Sequence, residues 1–373
     1  VAENGEFSGI FPDFLKLHYN SKVVLAAALI SGIGYLGFTS AQILAGAKLA
    51  AGTVFAGVEI INPLDLSLYI MTAIIIIYTV MGGLKAVIYT DTFQWMILLS
   101  GLIVFGIPFA YIKVGGYAML QSALPADFFS LTNLHISQFI NWLFTIVPIW
   151  FIAMTLYQRI YACRNVKEAQ KAFFLAGILE YPLMAFAGVI LGMIARIYFP
   201  DVDSEIAMPM LLREILPIGI KGIVIAAYFS AIMSTADSCL IASSGNFVND
   251  VIESFLNRRL SHKSMMRLSQ IVTLVIGIIT FIIANSYTTV LSIILHAYSF
   301  MVAGLFIPTV MAYFSRYTSS RAALVSMFGG GGFTLILIFT AFKMPWNLDA
   351  SVWGLLLSAF LYAIVMIIEL RKS

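Results

Sequence analysis

The chain has 373 residues, of which 61% are hydrophobic and 10% are charged, and its formal net charge is +3. With a mean hydropathy of +0.97, it is too apolar for a soluble domain and is expected to cross a membrane several times. Its apolar stretches are continuous runs such as TAIIIIYTVM. The strands of a transmembrane β-barrel are short and alternate in polarity, so a barrel is excluded.

Apolar runs long enough to span about 30 Å of hydrocarbon recur along the whole chain. Ten of them are predicted to be membrane helices, at residues 23–55, 66–84, 92–112, 137–158, 172–198, 219–249, 266–285, 288–314, 322–342 and 350–368. The predicted fold class is therefore all-α, a polytopic membrane helix bundle that lies in the lipid bilayer of the inner or plasma membrane.

Lysine and arginine side chains are concentrated in every second connection between the predicted helices, whereas the remaining connections are acidic. Because cytoplasmic loops carry the excess of positive charge, the basic side is expected to face the cytoplasm. Its cations are Lys16, Lys22, Lys85, Arg164, Lys167, Lys171, Arg258, Arg259, Lys263, Arg267, Arg316, Arg321, Arg371 and Lys372. A basic rim near lipid headgroups accounts for the net positive charge, so no nucleic-acid partner is predicted.

The predicted helix 219–249 is too polar to face lipid. Its polar residues are Ser230, Ser234, Thr235, Asp237, Ser238, Ser243 and Ser244. A carboxylate at the centre of a bilayer costs about 2.5–3.5 kcal/mol on insertion scales, so such residues usually face the bundle interior and mark an ion or solute path. Hydroxyls can also bond to carbonyls of their own helix, but a cluster that includes Asp237 favours the path. Oxygen ligands of this kind suit a hard cation.

Residues 78–86 read YTVMGGLKA, and the sequence continues VIYTDTFQ as far as Gln94. This resembles the signature of the sodium/solute symporter family, which includes bacterial sodium/proline and sodium/galactose symporters. Three further stretches agree in the same order, PDFLKLHYNSK, YQRIYACRNVKEAQKA and SAIMSTADSCLIASSGNFVNDV. The resemblance implies an inverted repeat of five plus five helices, with sodium and solute near helices that are interrupted in mid-membrane.

By this resemblance, the first predicted helix corresponds to the third helix of the family's ten-helix core. Residues 1–373 are therefore expected to form a single transmembrane transporter domain that is incomplete at its N-terminus. In the family, the first two core helices contribute to the sodium and solute sites, so part of both sites is expected to lie outside these residues.

The resemblance implies that Ser234 and Thr235 supply two hydroxyl ligands to the main sodium ion, with the carbonyl of Ala231 as a third oxygen. The spacing suits this role, because a carbonyl at position i and a hydroxyl at i+3 lie on one helix face. The alternative is that the two hydroxyls only bond within their own helix.

A second cation site is expected between Asp91, Ser234, Asp237 and Ser238. Some members of the family bind a second sodium with this aspartate and two hydroxyls, and here Asp237 stands at the first hydroxyl position. The additional carboxylate would strengthen a sodium site or hold a proton. The alternative for Asp91 is a cap at the N-terminus of its own helix, where the helix dipole favours an anion.

Four residues are candidates for solute contact. Glu180 stands where the resemblance implies a sugar-binding lysine of the sodium/galactose symporter, and a buried carboxylate needs a cation or a proton. We therefore expect an amine-bearing solute, unless Glu180 pairs with another part of the protein. His296 corresponds approximately to a sugar-binding glutamine, Trp150 to an aromatic gate and Phe38 to a solute-side tyrosine. Packing inside the bundle is the alternative for these three.

The sequence as a whole predicts a secondary active symporter that uses a sodium gradient to import a small organic solute by alternating access. Sodium is the expected ion, and no further cofactor is predicted. The histidines are scattered and no phosphate-binding loop is present, so the chain is not predicted to be an enzyme. The alternative is a membrane sensor in which the same fold is joined to a signalling module.

Overall fold

The structure is a computed structural model that describes residues 11–248, 262–340, 342 and 344–371. Within these ranges it does not describe the side chains of residues 11–13, 81–93, 158, 161–162, 180–182 and 262–263. The described residues form helices and connecting loops, with no strand among them.

Fourteen α-helices follow one another along the described part of the chain. They are α1 (Phe11–Lys16), α2 (Ser21–Gly52), α3 (Pro63–Ser100), α4 (Ile107–Val114), α5 (Gly116–Ala123), α6 (Ile136–Ile152), α7 (Met154–Ala162), α8 (Val166–Tyr198), α9 (Ser204–Ile215), α10 (Ile220–Gly245), α11 (His262–Asn285), α12 (Val290–Phe314), α13 (Ser320–Thr340) and α14 (Ala350–Leu370). A π-helical segment, Gly101–Gly106, joins α3 to α4.

Nine segments of the described chain are long and apolar enough to cross a membrane. They are Ser21–Gly52, Pro63–Val80, Gln94–Val114, Val166–Tyr198, Ile220–Val248, Ser264–Asn285, Val290–Phe314, Ser320–Thr340 and Ala350–Leu370. The apolar helix α6 is shorter than these. The predicted all-α, polytopic membrane bundle is therefore confirmed, and the chain is a multi-pass membrane protein.

The structure differs from the sequence prediction at residues 66–112, where two separate helices were expected and α3 runs without a break from Pro63 to Ser100. Helices α3 and α10 run in opposite directions, since Thr79 bonds to Asp237 whereas Gly101, just beyond the end of α3, packs against Val224. Of the two candidate membrane spans in this region, Pro63–Val80 lies in α3, and Gln94–Val114 begins in α3 and ends with α4.

The expected single helix 137–158 is interrupted at Ala153, whose backbone is extended, with φ −70° and ψ 106°. The helix α6 ends at Ile152, and α7 begins at Met154. Pro148 in the last part of α6 cannot donate a backbone hydrogen bond to the preceding turn, which weakens the helix just before the interruption. The prediction of one continuous helix was wrong at this point.

Helix α2 lies at the centre of the bundle, where small residues allow other helices to approach closely. A Cβ atom added to Gly34 would overlap the side chain of Met301 on α12, and one added to Gly32 would lie 3.0 Å from Phe247. Ser243 of α10 donates a hydrogen bond of 2.9 Å to the carbonyl of Gly32. Such contacts, rather than burial from water, drive helix association in lipid. They also fix α10 against α2.

A buried ion network joins α2, α9 and α12 on the side of the bundle predicted to be extracellular. The Lys48 side chain is 2% exposed, and its Nζ lies 2.9 Å from Asp203 Oδ2 and 2.6 Å from Glu205 Oε2. Glu205 also accepts the backbone N–H groups of Val290, at 3.0 Å, and Leu291, at 3.4 Å, at the start of α12. The carboxylate thus neutralises a buried lysine and caps a helix N-terminus.

Asp203 has a role of its own in this network. It is the N-cap of α9, where its Oδ1 accepts the backbone N–H of Glu205 at 2.8 Å. Burial alone would raise its pKa, but the hydrogen bonds from Lys48 and from the backbone N–H of Glu205 outweigh burial and hold the pKa of Asp203 below its usual value.

Candidate sodium and solute site

The predicted sodium ligands lie at the middle of α10, and their oxygen atoms are close together. Ser234 Oγ lies 3.4 Å from the carbonyl oxygen of Ala231, and Thr235 Oγ1 lies 3.2 Å from the same oxygen. All three residues are half-buried. The helix places the two hydroxyls three and four residues after the carbonyl, so both point back to the same turn.

These distances suit a hard cation of moderate size. Sodium has nearly the radius of calcium, whose oxygen ligands lie at about 2.3–2.6 Å. Two oxygens 3.2–3.4 Å apart that each bind an ion at such a distance subtend an angle of about 90° at the ion. In the structure the hydroxyls donate to the Ala231 carbonyl, so the alternative of bonding within the helix is equally present in the geometry. The two hydroxyls can turn toward a cation by rotation of their side chains, and the Ala231 carbonyl oxygen has a second lone pair for it.

One turn later, Asp237 is fully buried, with 0% exposure, and its Oδ1 lies 2.5 Å from Thr79 Oγ1 of α3. Ser238 beside it is also buried. Thr79 is a residue that the sequence interpretation missed. It lies in the YTVMGGLKA stretch, which was used only as a family signature, and a threonine in an apolar run gives no sign of which helix it will meet.

Two predicted site residues have side chains outside the described set. Asp91 lies within α3, and Glu180 lies within α8. Asp91 is far from the first turn of the continuous helix α3, so the alternative of an N-terminal cap does not apply to the helix as it is observed. Nothing in the structure tests the contacts of either carboxylate, and both roles stay predictions.

His296 is half-buried in α12 and contacts Tyr287, which lies in the connection before that helix. The tyrosine hydroxyl lies 3.1 Å from His296 Nδ1, and the two rings meet edge to face. Burial raises the pKa of Tyr287, so the hydroxyl stays protonated at neutral pH and can donate to the imidazole. The imidazole therefore has a partner in the protein, as expected if it is satisfied within the bundle.

The two aromatic candidates differ in their surroundings. Phe38 of α2 stacks on Tyr298 of α12, with ring centroids 5.4 Å apart, which fits packing between two helices. Trp150 is 44% exposed near the end of α6, three residues before the interruption at Ala153. The four predicted solute residues thus lie on four different helices, α2, α6, α8 and α12.

The model of the sodium:solute symporter family matches residues 8–330. The sodium/myo-inositol cotransporter 2 of Oryctolagus cuniculus is 29% identical over 72% of this chain and 45% of its own length. The osmoregulated proline transporter OpuE of Bacillus subtilis is 25% identical over 97% of this chain and 74% of its own length. The chain spans about half the length of several of the curated relatives that it matches.

A solved structure has the same fold. It is that of a Na⁺-coupled sialic acid symporter in a substrate-bound, outward-open state, described as revealing a novel Na⁺ site. The TM-score is 0.72, with 21% sequence identity, and the match covers 95% of this chain and 76% of that chain. At this level of identity the likeness concerns the fold, and it supports the predicted transporter core.

Proposed function

Because the chain belongs to the sodium:solute symporter family, we propose that it is a sodium-coupled secondary transporter that imports a small organic solute by alternating access. The observation that supports this most directly is the convergence of three oxygens from Ala231, Ser234 and Thr235 at the middle of a membrane helix. Neutral oxygens in this number suit a monovalent hard cation better than a transition metal.

The proposed role of the sodium ion is energetic. An ion can shift a conformational equilibrium only by the difference between its affinities for the two states. Sodium would bind better in the state that also binds solute, and this reciprocal coupling would let the sodium gradient drive solute uptake. Ligands on α10 suit such coupling, because this helix packs against both α2 and α3 and changes its contacts if either helix moves.

A second cation site forms part of the proposal, with Asp91, Ser234, Asp237 and Ser238 as ligands. Its support is the burial of Asp237 and its contact with Thr79, since a buried carboxylate needs hydrogen bonds and a cation or a proton. Whether this second cation is sodium or a proton decides the stoichiometry of transport. Thr79 would orient the carboxylate.

For the solute, we keep the amine-bearing class as the first to test, with Glu180 as the anionic partner and Trp150, His296 and Phe38 at the edges of the site. Trp150 has the best support among the last three, because it is exposed next to an interrupted helix, and interrupted helices line the solute sites of such transporters. The similar proteins of Oryctolagus cuniculus and Bacillus subtilis are named as transporters, so a sensor is not proposed.

Uptake by proteoliposomes tests the proposal. The protein is reconstituted in vesicles loaded with potassium and diluted into sodium, potassium or choline chloride, and uptake is measured for labelled amines, amino acids, monocarboxylates and sugars. We expect accumulation of one solute class only with the inward sodium gradient, and its loss when an ionophore abolishes the gradient. Uptake that is equal in all three salts would contradict sodium coupling.

A further inference from the structure

The interruption at Ala153 leaves backbone groups on both sides without partners in a helix. Because neither helix continues into the other, the last carbonyl groups of α6 and the first N–H groups of α7 need partners outside the regular helical pattern. Such groups are tolerated at membrane depth only if the protein or a water-filled cavity satisfies them. Two tyrosine hydroxyls meet this need, one on each side of the interruption.

Tyr157 satisfies the α6 side. It lies in α7, and its hydroxyl reaches back across Ala153 to donate to the carbonyl oxygen of Phe151 at 2.8 Å. The hydroxyl oxygen also lies 2.8 Å from the hydroxyl of Tyr313 on α12. The Tyr157 hydroxyl has one hydrogen and gives it to the carbonyl, so Tyr313 acts as the donor in the second contact. A third helix thus supports the interrupted pair.

Tyr35 satisfies the α7 side. It lies in α2 and is 5% exposed, and its hydroxyl oxygen accepts the backbone N–H of Thr155 at 3.2 Å. Thr155 is the second residue of α7, so this N–H has no partner within the helix. The central helix of the bundle therefore holds the start of α7 through one side-chain oxygen.

Side chains near the interruption lie in two different environments. Ile152 and Met154, on either side of Ala153, are 0% and 1% exposed, whereas Trp150 and Phe151 are each 44% exposed. The last turn of α6 therefore places the buried Ile152 next to two exposed aromatic side chains. The Phe151 carbonyl, which Tyr157 holds, belongs to the residue directly after Trp150.

We propose that Tyr35 and Tyr157 are positioning residues that keep the α6–α7 interruption open and thereby orient Trp150 and the last turn of α6 toward the solute. The claim that Trp150 faces the solute rests on the proposed function. The claim that the two tyrosines position the end of α6 does not. Without the Tyr157 hydroxyl, the Phe151 carbonyl loses its partner and the last turn of α6 is free to reorient. Without the Tyr35 hydroxyl, the start of α7 loses its link to α2.

The experiment reports on residue 150 directly. Trp150→Cys is made in a Cys163→Ser background, which leaves Cys239 buried, and its labelling rate with N-ethylmaleimide is measured in proteoliposomes with sodium or choline chloride. Tyr35→Phe and Tyr157→Phe are each added to this background. We expect each to change the labelling rate about fivefold, as loss of one hydrogen bond allows.

Tyr19→Phe is the matched control. Tyr19 is also buried, and its hydroxyl also donates to a carbonyl oxygen, that of Pro308, at 2.9 Å, but neither Pro308 nor its second partner, Tyr362, belongs to α6 or α7. A merely structural role predicts that all three variants lower the thermal midpoint in detergent similarly and change the labelling rate no more than Tyr19→Phe does. That result would overturn the proposal.

Two further measurements keep the outcomes separate. If Tyr157→Phe does not fold, Tyr313→Phe can be used instead, because it removes only the hydroxyl that contacts the Tyr157 hydroxyl, from a side chain that is 45% exposed. We expect it to change the labelling rate of residue 150 about twofold. No change in that variant would then overturn the role of Tyr157. Binding of radioactive sodium ion to the parent protein tests the proposed function independently, and its absence would leave the labelling result at residue 150 intact.

Discussion

Lys48 and Glu205, which are 157 residues apart in sequence, form an ion pair of 2.6 Å that joins the central helix α2 to the short helix α9. The lysine is almost completely buried, and the glutamate also accepts N–H groups at the start of α12. Removing one partner of a buried pair leaves a charge uncompensated, which costs about 3–5 kcal/mol when burial is complete.

The first prediction concerns the two carboxylates that face Lys48. Glu205→Gln should lower the free energy of unfolding by about 1–3 kcal/mol, because it weakens both the ion pair and the cap of α12. Asp203→Asn should cost less, since Asp203 is 41% exposed and Glu205 remains beside the lysine. Thermal unfolding in detergent measures the difference, with Glu214→Gln, an exposed acidic residue of α9, as the control. Equal losses for all three variants would contradict this account of the network.

The second prediction is a pH dependence at Asp203. Its pKa in the folded protein lies below its ordinary value of 3.8, so its contribution to stability is present above that pH and is lost as the pH falls through the lower, folded-state pKa. The parent protein should therefore lose more stability than Asp203→Asn as the pH is lowered below about 4. The effect is small because the carboxylate is partly exposed. Thermal midpoints of both proteins at a series of acidic pH values provide the test.

The third prediction concerns the proposed sodium ligands. Ser234→Ala and Thr235→Ala each remove one oxygen, so both should raise the sodium concentration for half-maximal uptake about tenfold, with little effect on folding. Ser244→Ala is a matched control on the same helix, because its hydroxyl bonds to the carbonyl three residues earlier at 3.2 Å, as that of Ser234 does at 3.4 Å. If the control changes sodium dependence as much as Ser234→Ala does, the hydroxyls act only within the helix.

Spatial relationships between residues that are close in the sequence could be predicted. The polar run in α10 has its carbonyl and two hydroxyls on one face because helix geometry alone fixes that relationship, and the structure brings these oxygens together as expected. Most of the membrane helices could be predicted for a similar reason, since length and apolar composition are local properties.

Features that depend on distant contacts could not be predicted. The interruption at Ala153 gives only a weak local signal, the proline at 148, and the partner of the Thr155 N–H beside it is Tyr35, which lies in a helix more than a hundred residues earlier. Thr79 and Asp237 are 158 residues apart, and nothing in either segment specifies the other. The Lys48 network is similar, because a lysine near the end of an apolar helix gives no indication of its partners.

The fourth prediction tests Thr79 as the partner of Asp237. Thr79→Val keeps the shape of the side chain but removes a hydrogen bond to a buried carboxyl group, an interaction worth about 1.5–3 kcal/mol if the carboxyl is charged. We expect Thr79→Val, like Asp237→Asn, to change the number of cations moved per solute or the pH dependence of uptake. Reversal potentials in proteoliposomes give the stoichiometry.

Thr72→Val is the control for Thr79→Val. Thr72 is buried two turns earlier in α3, and its hydroxyl has no hydrogen-bond partner within the described part of the structure. It should therefore leave both stoichiometry and pH profile unchanged. If Thr79→Val and Asp237→Asn also retain the parent values, these residues have a structural role and the second cation site is wrong.

The fifth prediction concerns Glu180 in α8 and the amine-bearing class of solute. A charge-assisted contact contributes about 1.5–3 kcal/mol, so Glu180→Gln should raise the KM for an amine solute about tenfold to a hundredfold. The sodium concentration for half-maximal uptake should change much less, because the proposed sodium ligands are on α10. Glu168→Gln, in the exposed first turn of the same helix, is the control for a change of charge on α8.

Competition assays on the parent protein decide between solute contact and internal pairing for Glu180. If amines inhibit uptake in the parent but not in Glu180→Gln, the carboxylate contacts the solute. If sugars or monocarboxylates compete and amines do not, or if Glu180→Gln transports with the parent KM, then Glu180 is the partner of another residue of the protein. In that case Glu180→Gln would break an internal ion pair, and its thermal midpoint at neutral pH would be lower than that of the parent.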